Sequence, residues 1–144
     1  MESLDREVIL RRLLRLDRLR TRLERDAGAS RERYLADEDL QAQVERRLQL
    51  AAQIAIDLAN YLITHRRLEI PDEEENVFVV LGRVGIIEPS LAERLKGLVR
   101  FRNILVHDYL TVDPGLVYDN LAARLDDFQA FARQLTAHLE RQSG

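Results

Sequence analysis

Apolar residues recur every three or four positions along most of this 144-residue chain, which is the spacing of one face of an amphipathic α-helix. The longest series predicts a helix over roughly residues 38–66, with apolar positions at Leu40, Val44, Leu48, Ala51, Ala55, Leu58 and Leu62. Two further series lie near the termini; they contain Ile9, Leu13, Leu16 and Leu23, and Leu121, Leu125, Phe128, Ala132, Leu135 and Leu139. Residues 77–81 form a strand-like run that fits a short buried helix equally well. The pattern therefore favours an all-α protein.

Glycine, proline and capping residues divide the predicted helices. Ser30 follows a Gly-Ala pair and is expected to cap the second helix at its N-terminus. Pro71 is expected to end the long helix, because proline has no N–H and clashes with the preceding turn. Gly85 fits a C-terminal cap before Pro89, and the Asp-Pro-Gly run at residues 113–115 separates the last two helices. We expect an antiparallel bundle of four long helices plus one short helix.

The composition indicates a single folded domain that spans residues 1–144. Hydrophobic residues make up 46% and charged residues 33% of the chain, a balance that excludes a disordered protein. Cysteine is absent, which excludes disulfides, thiolate zinc sites and cysteine nucleophiles. No apolar run approaches the ~20 residues of a membrane span, and the charged segment 1–7 does not resemble a secretory signal. We therefore expect a cytoplasmic protein without a membrane partner.

One segment concentrates positive charge, although the net charge of −3 disfavours nucleic-acid binding through overall charge alone. Residues 91–110 read LAERLKGLVRFRNILVHDYL and hold four basic residues close together with no acid among them. Wound as one helix, Lys96, Arg100, Asn103 and His107 fall within an arc of about 60°. The apolar residues on the opposite side are Leu91, Leu95, Leu98 and Leu105. This face is therefore a candidate for binding an anion.

Arg102 projects from the apolar side of this predicted helix, away from the other basic residues. A buried guanidinium without a partner is costly, so it requires an anion, a carboxylate of a neighbouring helix or a subunit interface. Asp57 is a candidate for the carboxylate. His107 alone fits a surface or structural histidine, and Tyr109 alone fits a core residue with its hydroxyl at the rim. Taken singly, these residues leave the structural and the functional interpretations open.

Residues 102–109, Arg-Asn-Ile-Leu-Val-His-Asp-Tyr, have the pattern Arg-x4-His-x-Tyr with a polar residue directly after the arginine. This pattern resembles the HEPN superfamily and, within it, the HepT-type toxin ribonucleases. Residues 56–63 resemble the second-helix segment of that family, although Tyr61 stands where histidine is common. Residues 77–87 resemble the short helix that precedes the motif helix. The resemblance spans roughly residues 40–115 and implies an HEPN-like helical bundle.

The resemblance implies a metal-independent endoribonuclease, the toxin of a type VII-like toxin–antitoxin pair, that forms a homodimer with its RNA cleft between two motif helices. Arg102 and His107 match the catalytic residues of the family, and Asn103 and Asp57 are expected to support them. The chemistry agrees, because histidine can act as acid or base near neutral pH and arginine can clamp the oxygens of a phosphorane. No cofactor is implied. The other histidines are not at ligand spacing, so no metal site is expected.

The relative direction of the two catalytic candidates is a geometric difficulty. In an ideal helix the side chains of Arg102 and His107 point about 140° apart. Either the helix loosens before His107, or the two side chains converge only across the dimer interface, and the sequence leaves both open. Lys96 and Arg100 are expected to contact RNA phosphates.

The resemblance also implies a partner, an MNT-type nucleotidyltransferase antitoxin that transfers AMP to the tyrosine of the motif, which Tyr109 matches. An anionic adduct two residues from His107 would block an anionic substrate by bulk and repulsion. The acidic run at residues 72–75 fits a solvated helix start or a contact with such an antitoxin. Two alternatives to a ribonuclease remain: a non-catalytic HEPN binding subunit of a minimal nucleotidyltransferase, and a structural bundle with a coincidental motif. The intact set of Arg102, His107 and Tyr109 favours the ribonuclease.

Overall fold

The computed structural model describes residues 2–107 and 112–143, and these ranges contain helices and no β-strand. Three α-helices are long: α1 (Glu2–Asp26), α3 (Glu38–His65) and α7 (Pro114–Ser143). Four are short: α2 (Arg31–Ala36), α4 (Val77–Arg83), α5 (Pro89–Leu95) and α6 (Leu98–Val106). A 3-10 helix covers Glu74–Asn76. None of the described helices is long and apolar enough to cross a membrane.

The predicted all-α bundle is confirmed, and the helix predicted over residues 38–66 is found at Glu38–His65. The helices divide differently from the expected four long and one short, because Arg31–Ala36 forms a separate short helix and the segment predicted as one motif helix is interrupted. α5 ends at Leu95, and Gly97 stands immediately before α6. Glycine costs a helix interior about 1 kcal/mol relative to alanine, which favours a break at this position.

The long helix α3 ends before the proline that was expected to stop it. Arg67 has a left-handed backbone with φ 53°, and the N–H of Leu68 donates to the carbonyl of Ile63 at 2.9 Å. This is the hydrogen-bond pattern of a Schellman cap, here formed without glycine. α3 is therefore ended by its own cap at His65, and Pro71 lies in the loop that follows.

Three predicted capping positions are confirmed. The Ser30 side chain accepts from the N–H of Arg33 at the start of α2, at 3.1 Å. Gly85 has φ 81° after the end of α4, a left-handed conformation that glycine adopts without strain. Pro89 begins α5, where its missing N–H costs nothing. These local signals define where the short helices begin and end.

α3 is the central helix of the bundle. It carries eleven buried residues and packs against α1, α2, α4, α6 and α7. A continuous apolar core takes side chains from all of the described α-helices, and within it Phe78 of α4 meets Phe131 of α7 edge to face at 5.7 Å. α6 carries Arg102 and is called the motif helix below. Because α6 packs on α3, its position depends on this core.

Two short helices approach each other closely at a glycine. A Cβ atom at Gly82 of α4 would lie 2.8 Å from the Cβ of Ala92 and 3.5 Å from the Cα of Pro89, both in α5. The absence of a side chain at Gly82 therefore sets the distance between α4 and α5. Since α5 leads directly into α6, this contact also helps to position the motif helix.

We expect Gly82→Ala to lower the free energy of unfolding by about 1–3 kcal/mol, because overpacking outweighs the gain in helix propensity. Urea unfolding followed by circular dichroism measures this change. Gly97→Ala is the control, since a Cβ there would meet nothing within 4 Å. The double variant Gly82→Ala/Ala92→Gly should recover the lost stability. A Gly82→Ala protein as stable as the unsubstituted chain would contradict the close approach.

Candidate active site

The motif helix ends just before His107. The last residue of α6 is Val106, and His107 has extended backbone angles of φ −91° and ψ 108°. Its N–H still donates to the carbonyl of Asn103 at 3.2 Å, and its side chain is exposed. The helix therefore does not loosen before His107, and the departure from helical geometry begins only at the ψ angle of His107 itself. Because ψ of His107 redirects only the chain that follows, the Cα–Cβ bond of His107 keeps nearly the direction of a helical residue, and the angle of about 140° to Arg102 still applies.

Arg102 is held by a network of hydrogen bonds. Its Nε and one terminal nitrogen donate to Oδ1 of Asn103 at 3.0 and 2.8 Å. The other terminal nitrogen donates to Oε1 of Gln53 on α3 at 3.1 Å. The nitrogen shared with Asn103 also donates to Oε1 of Glu74 in the 3-10 helix at 2.7 Å. The Arg102 side chain is only 12% exposed, so these contacts replace most of its hydration.

The carboxylate that pairs with Arg102 is Glu74, not the expected Asp57. Asp57 instead accepts a hydrogen bond from Nε2 of Gln53 at 2.8 Å. Gln53 thus donates to Asp57 through its nitrogen and accepts from Arg102 through its oxygen. Asp57 therefore acts on Arg102 indirectly, by orienting the amide of Gln53.

The charge of Arg102 is satisfied within its own chain. The sequence suggested that a guanidinium on an apolar face requires a second subunit, but Gln53, Glu74 and Asn103 supply acceptors without one. Asn103 lies beside Arg102, as the motif predicted. The direction of Arg102 is explained by acceptors on α3 and the 3-10 helix.

The two remaining basic candidates are exposed. Lys96 lies at the junction between α5 and α6, and Arg100 lies on α6. The break at Gly97 separates Lys96 from the other predicted members of the arc, Arg100, Asn103 and His107, which lie on or directly after α6. Lys96 and Arg100 are accessible to a large anion, whereas Arg102 is mostly covered.

A further arginine covers the motif helix from the side of α7. The guanidinium carbon of Arg124 lies 3.8 Å from the centre of the Phe101 ring, which is cation–π geometry. Burial lowers the pKa of Arg124, and the negative charge of Asp127 opposes this shift only in part. This stacking connects α7 to α6.

Tyr109 lies outside the described residues. Within the described ranges, no group of three or more histidine, cysteine or acidic side chains could hold a metal ion.

Sequence reasoning missed Gln53, Glu74 and Arg124. Gln53 lies four residues before Asp57 in a predicted helix, so their common face was a usable signal. Glu74 is one member of an acidic run, and nothing in the sequence distinguishes it from its neighbours. Arg124 meets Phe101 only through the tertiary fold.

The arrangement combines two chemical capabilities. An immobilised guanidinium can stabilise negative charge that develops on a phosphoryl or acyl group. An exposed imidazole, here that of His107, can act as a general acid or a general base. Together they suit general acid–base chemistry on an anionic substrate.

Two curated relatives extend over most of the chain. The tRNA nuclease HepT of Aphanizomenon flos-aquae is 28% identical over 139 residues, which cover 96% of this chain and 95% of that protein. The mRNA nuclease HepT of Shewanella oneidensis is 29% identical over 125 residues, which cover 87% of this chain and 93% of that protein.

Solved structures share the fold as well. A toxin–antitoxin crystal structure with AMP-PNP matches with a TM-score of 0.83 at 27% identity, over 91% of this chain and 98% of that one. A tri-AMPylated Shewanella oneidensis HEPN toxin in complex with MNT antitoxin matches with a TM-score of 0.81 at 28% identity, over 90% and 97%. Residues 9–135 match the family model described as ribonuclease HepT-like. The chain therefore belongs to the HepT-like ribonuclease family.

Proposed function

We propose that this protein is a metal-independent endoribonuclease and the toxin of a toxin–antitoxin pair. The observation that carries the proposal is the guanidinium of Arg102, which is held by four hydrogen bonds on α6, the helix that ends directly before the exposed His107. The nuclease relatives and the toxin–antitoxin structures support the same activity.

The proposed reaction uses the 2′-hydroxyl of the RNA as nucleophile. Its oxygen bonds to the adjacent phosphorus while the bond to the 5′-oxygen breaks, which leaves a 2′,3′-cyclic phosphate and a 5′-hydroxyl. His107 serves this reaction by accepting the 2′ proton or by protonating the leaving oxygen. Arg102 stabilises the additional negative charge on the pentacoordinate phosphorus. Neither role requires a metal ion.

The residues around Arg102 support these roles. The side-chain oxygen of Asn103 accepts hydrogen bonds from two nitrogens of Arg102. Asp57 orients Gln53 so that the side-chain oxygen of Gln53 faces the guanidinium. We assign phosphate contacts away from the cleaved bond to the exposed Lys96 and Arg100. These side chains can reach an RNA backbone without rearrangement of the bundle.

We also propose that the protein is a homodimer formed through α6. Among the residues of this helix only Leu98 and Val99 are buried, whereas Phe101 and Leu105 are partly exposed and Val106 is 47% exposed. A second copy would cover this apolar surface. It would also bring a second imidazole to the same cleft.

The proposed regulation is AMP transfer to Tyr109 by an MNT-type nucleotidyltransferase antitoxin. A related toxin has been solved in its tri-AMPylated form in complex with MNT antitoxin, which supports this assignment. Tyr109 stands two residues after His107, so an attached phosphodiester of about −1 charge would compete with the RNA phosphate.

The first prediction from this proposal concerns catalysis. RNA cleavage should survive EDTA and should fall by about 10²–10⁴-fold in His107→Ala and in Arg102→Ala, because each variant removes a group that acts on the transition state. Cleavage is measured by gel electrophoresis of tRNA and mRNA, with the fold monitored by circular dichroism. His65→Ala, which alters another exposed histidine at a helix end, is the matched control. Activity lost in EDTA and restored by Mg²⁺ would contradict the mechanism.

The second prediction concerns assembly. Val106→Lys should shift the protein from dimer to monomer in light scattering at micromolar concentration, because it places a charge on the proposed interface. Val84→Lys is the matched control, since Val84 is 50% exposed, also lies at a helix C-terminus, and is remote from α6 in sequence. A monomer in the unsubstituted protein, or equal behaviour of the two variants, would exclude this interface.

The third prediction concerns regulation. Incubation with the cognate nucleotidyltransferase and ATP should add AMP-sized mass increments to the protein and silence cleavage. Tyr109→Phe should remain a ribonuclease yet escape silencing, because it lacks the acceptor hydroxyl. Intact-mass spectrometry measures the adduct. An unchanged adduct on Tyr109→Phe would move the acceptor to another residue.

A further inference from the structure

The guanidinium of Arg102 has almost no donor left for a substrate. Its hydrogen bonds to Asn103, Gln53 and Glu74 use all but one of its N–H groups. A phosphodiester that binds through two parallel N–H groups therefore has to replace one of these acceptors. The question is which acceptor leaves.

The three acceptors differ in charge and in attachment. Gln53 and Asn103 offer neutral amide oxygens, whereas Glu74 offers a carboxylate and is the group that neutralises Arg102. Gln53 stands on the central helix α3 and is fixed by Asp57. Glu74 stands on a three-residue 3-10 helix, and its side chain is 47% exposed. It is the acceptor that can leave with the least disturbance of the core.

The carboxylate and a substrate phosphate would compete for the same position. Both are anions, and the nitrogen that Glu74 occupies at 2.7 Å can make its strongest hydrogen bond to only one of them. Two anions on one guanidinium would also repel each other. Once the carboxylate leaves, Gln53 and Asn103 still hold the guanidinium in place.

We propose that Glu74 occupies the phosphate position of Arg102 in the free protein and is exchanged for a backbone phosphate when RNA binds. This inference rests on the proposed ribonuclease function. Glu74 thereby determines how strongly substrate binds, and it does not orient Arg102 for chemistry. The consequence is that removing its charge should strengthen binding.

The experiment compares Glu74→Gln and Glu74→Ala with Glu73→Gln and Glu73→Ala. Glu73 is the preceding exposed glutamate, and its side chain makes no capping hydrogen bond, so its variants change the net charge equally. The KM and kcat for one RNA substrate are measured for all four variants. In parallel, binding of inorganic phosphate is followed by the change in the NMR chemical shift of the Arg102 side-chain N–H. This signal is assigned by its absence from the spectrum of Arg102→Lys.

We expect both Glu74 variants to lower the KM by about three- to tenfold and to bind phosphate more tightly by a similar factor, with smaller changes for Glu73. Equal effects at Glu73 and Glu74 would overturn the proposal, because they would reflect net charge alone. A loss of kcat in Glu74→Ala that Glu74→Gln restores, at constant KM, would also overturn it, because Glu74 would then orient Arg102.

The phosphate measurement separates this inference from the proposed function. If no variant cleaves RNA but the Glu74 variants bind phosphate at Arg102 more tightly, the ribonuclease proposal fails and the exchange of anions stands. If RNA is cleaved and phosphate binding is the same in all variants, the exchange fails and the ribonuclease stands.

Discussion

The side chain of Arg102 is only 12% exposed, so its guanidinium has lost most of its water and its N–H groups require acceptors from the protein. For Arg102 these acceptors come from three places: α3, the 3-10 helix and α6 itself. If α6 rotated or slid along α3, at least one acceptor would be lost while the charge remained buried. The hydrogen bonds of one side chain therefore restrict the position of the whole motif helix.

The hydrophobic core makes this polar network possible. α3 is packed on several sides, so Gln53 is presented from a helix that cannot easily move. The close approach of α4 and α5 at Gly82 and the break at Gly97 then direct α6 across α3. α6 ends at Val106, and His107, which caps it, is exposed at the end of the motif helix. Apolar packing positions the helices, and the hydrogen bonds of Arg102 select the orientation of α6.

The parts of the structure that depend on local sequence were predictable, and the parts that depend on tertiary contacts were not. Periodicity indicated α3 almost to the residue, and the caps at Ser30 and Gly85 follow from side-chain and backbone chemistry within a few residues. The residue that ends α3 was wrongly identified as Pro71, because a non-glycine residue, Arg67, adopts the left-handed conformation of the cap. The sequence could not show which acid pairs with Arg102, because the candidate acids have the same chemistry and differ only in where the fold places them.

The distribution of charge explains why the candidate site relies on a few short contacts. With a net charge of −3 and an acidic run at residues 72–75, the chain gains little from long-range attraction of RNA. If it binds RNA as proposed, affinity must come from contacts at hydrogen-bond distance. Lys96 and Arg100 are exposed and available at the first encounter, whereas Arg102 is covered and already paired. Under the proposed function, burial and pairing would impose an order, in which the exposed bases bind the backbone first and the arginine engages the reacting phosphate last.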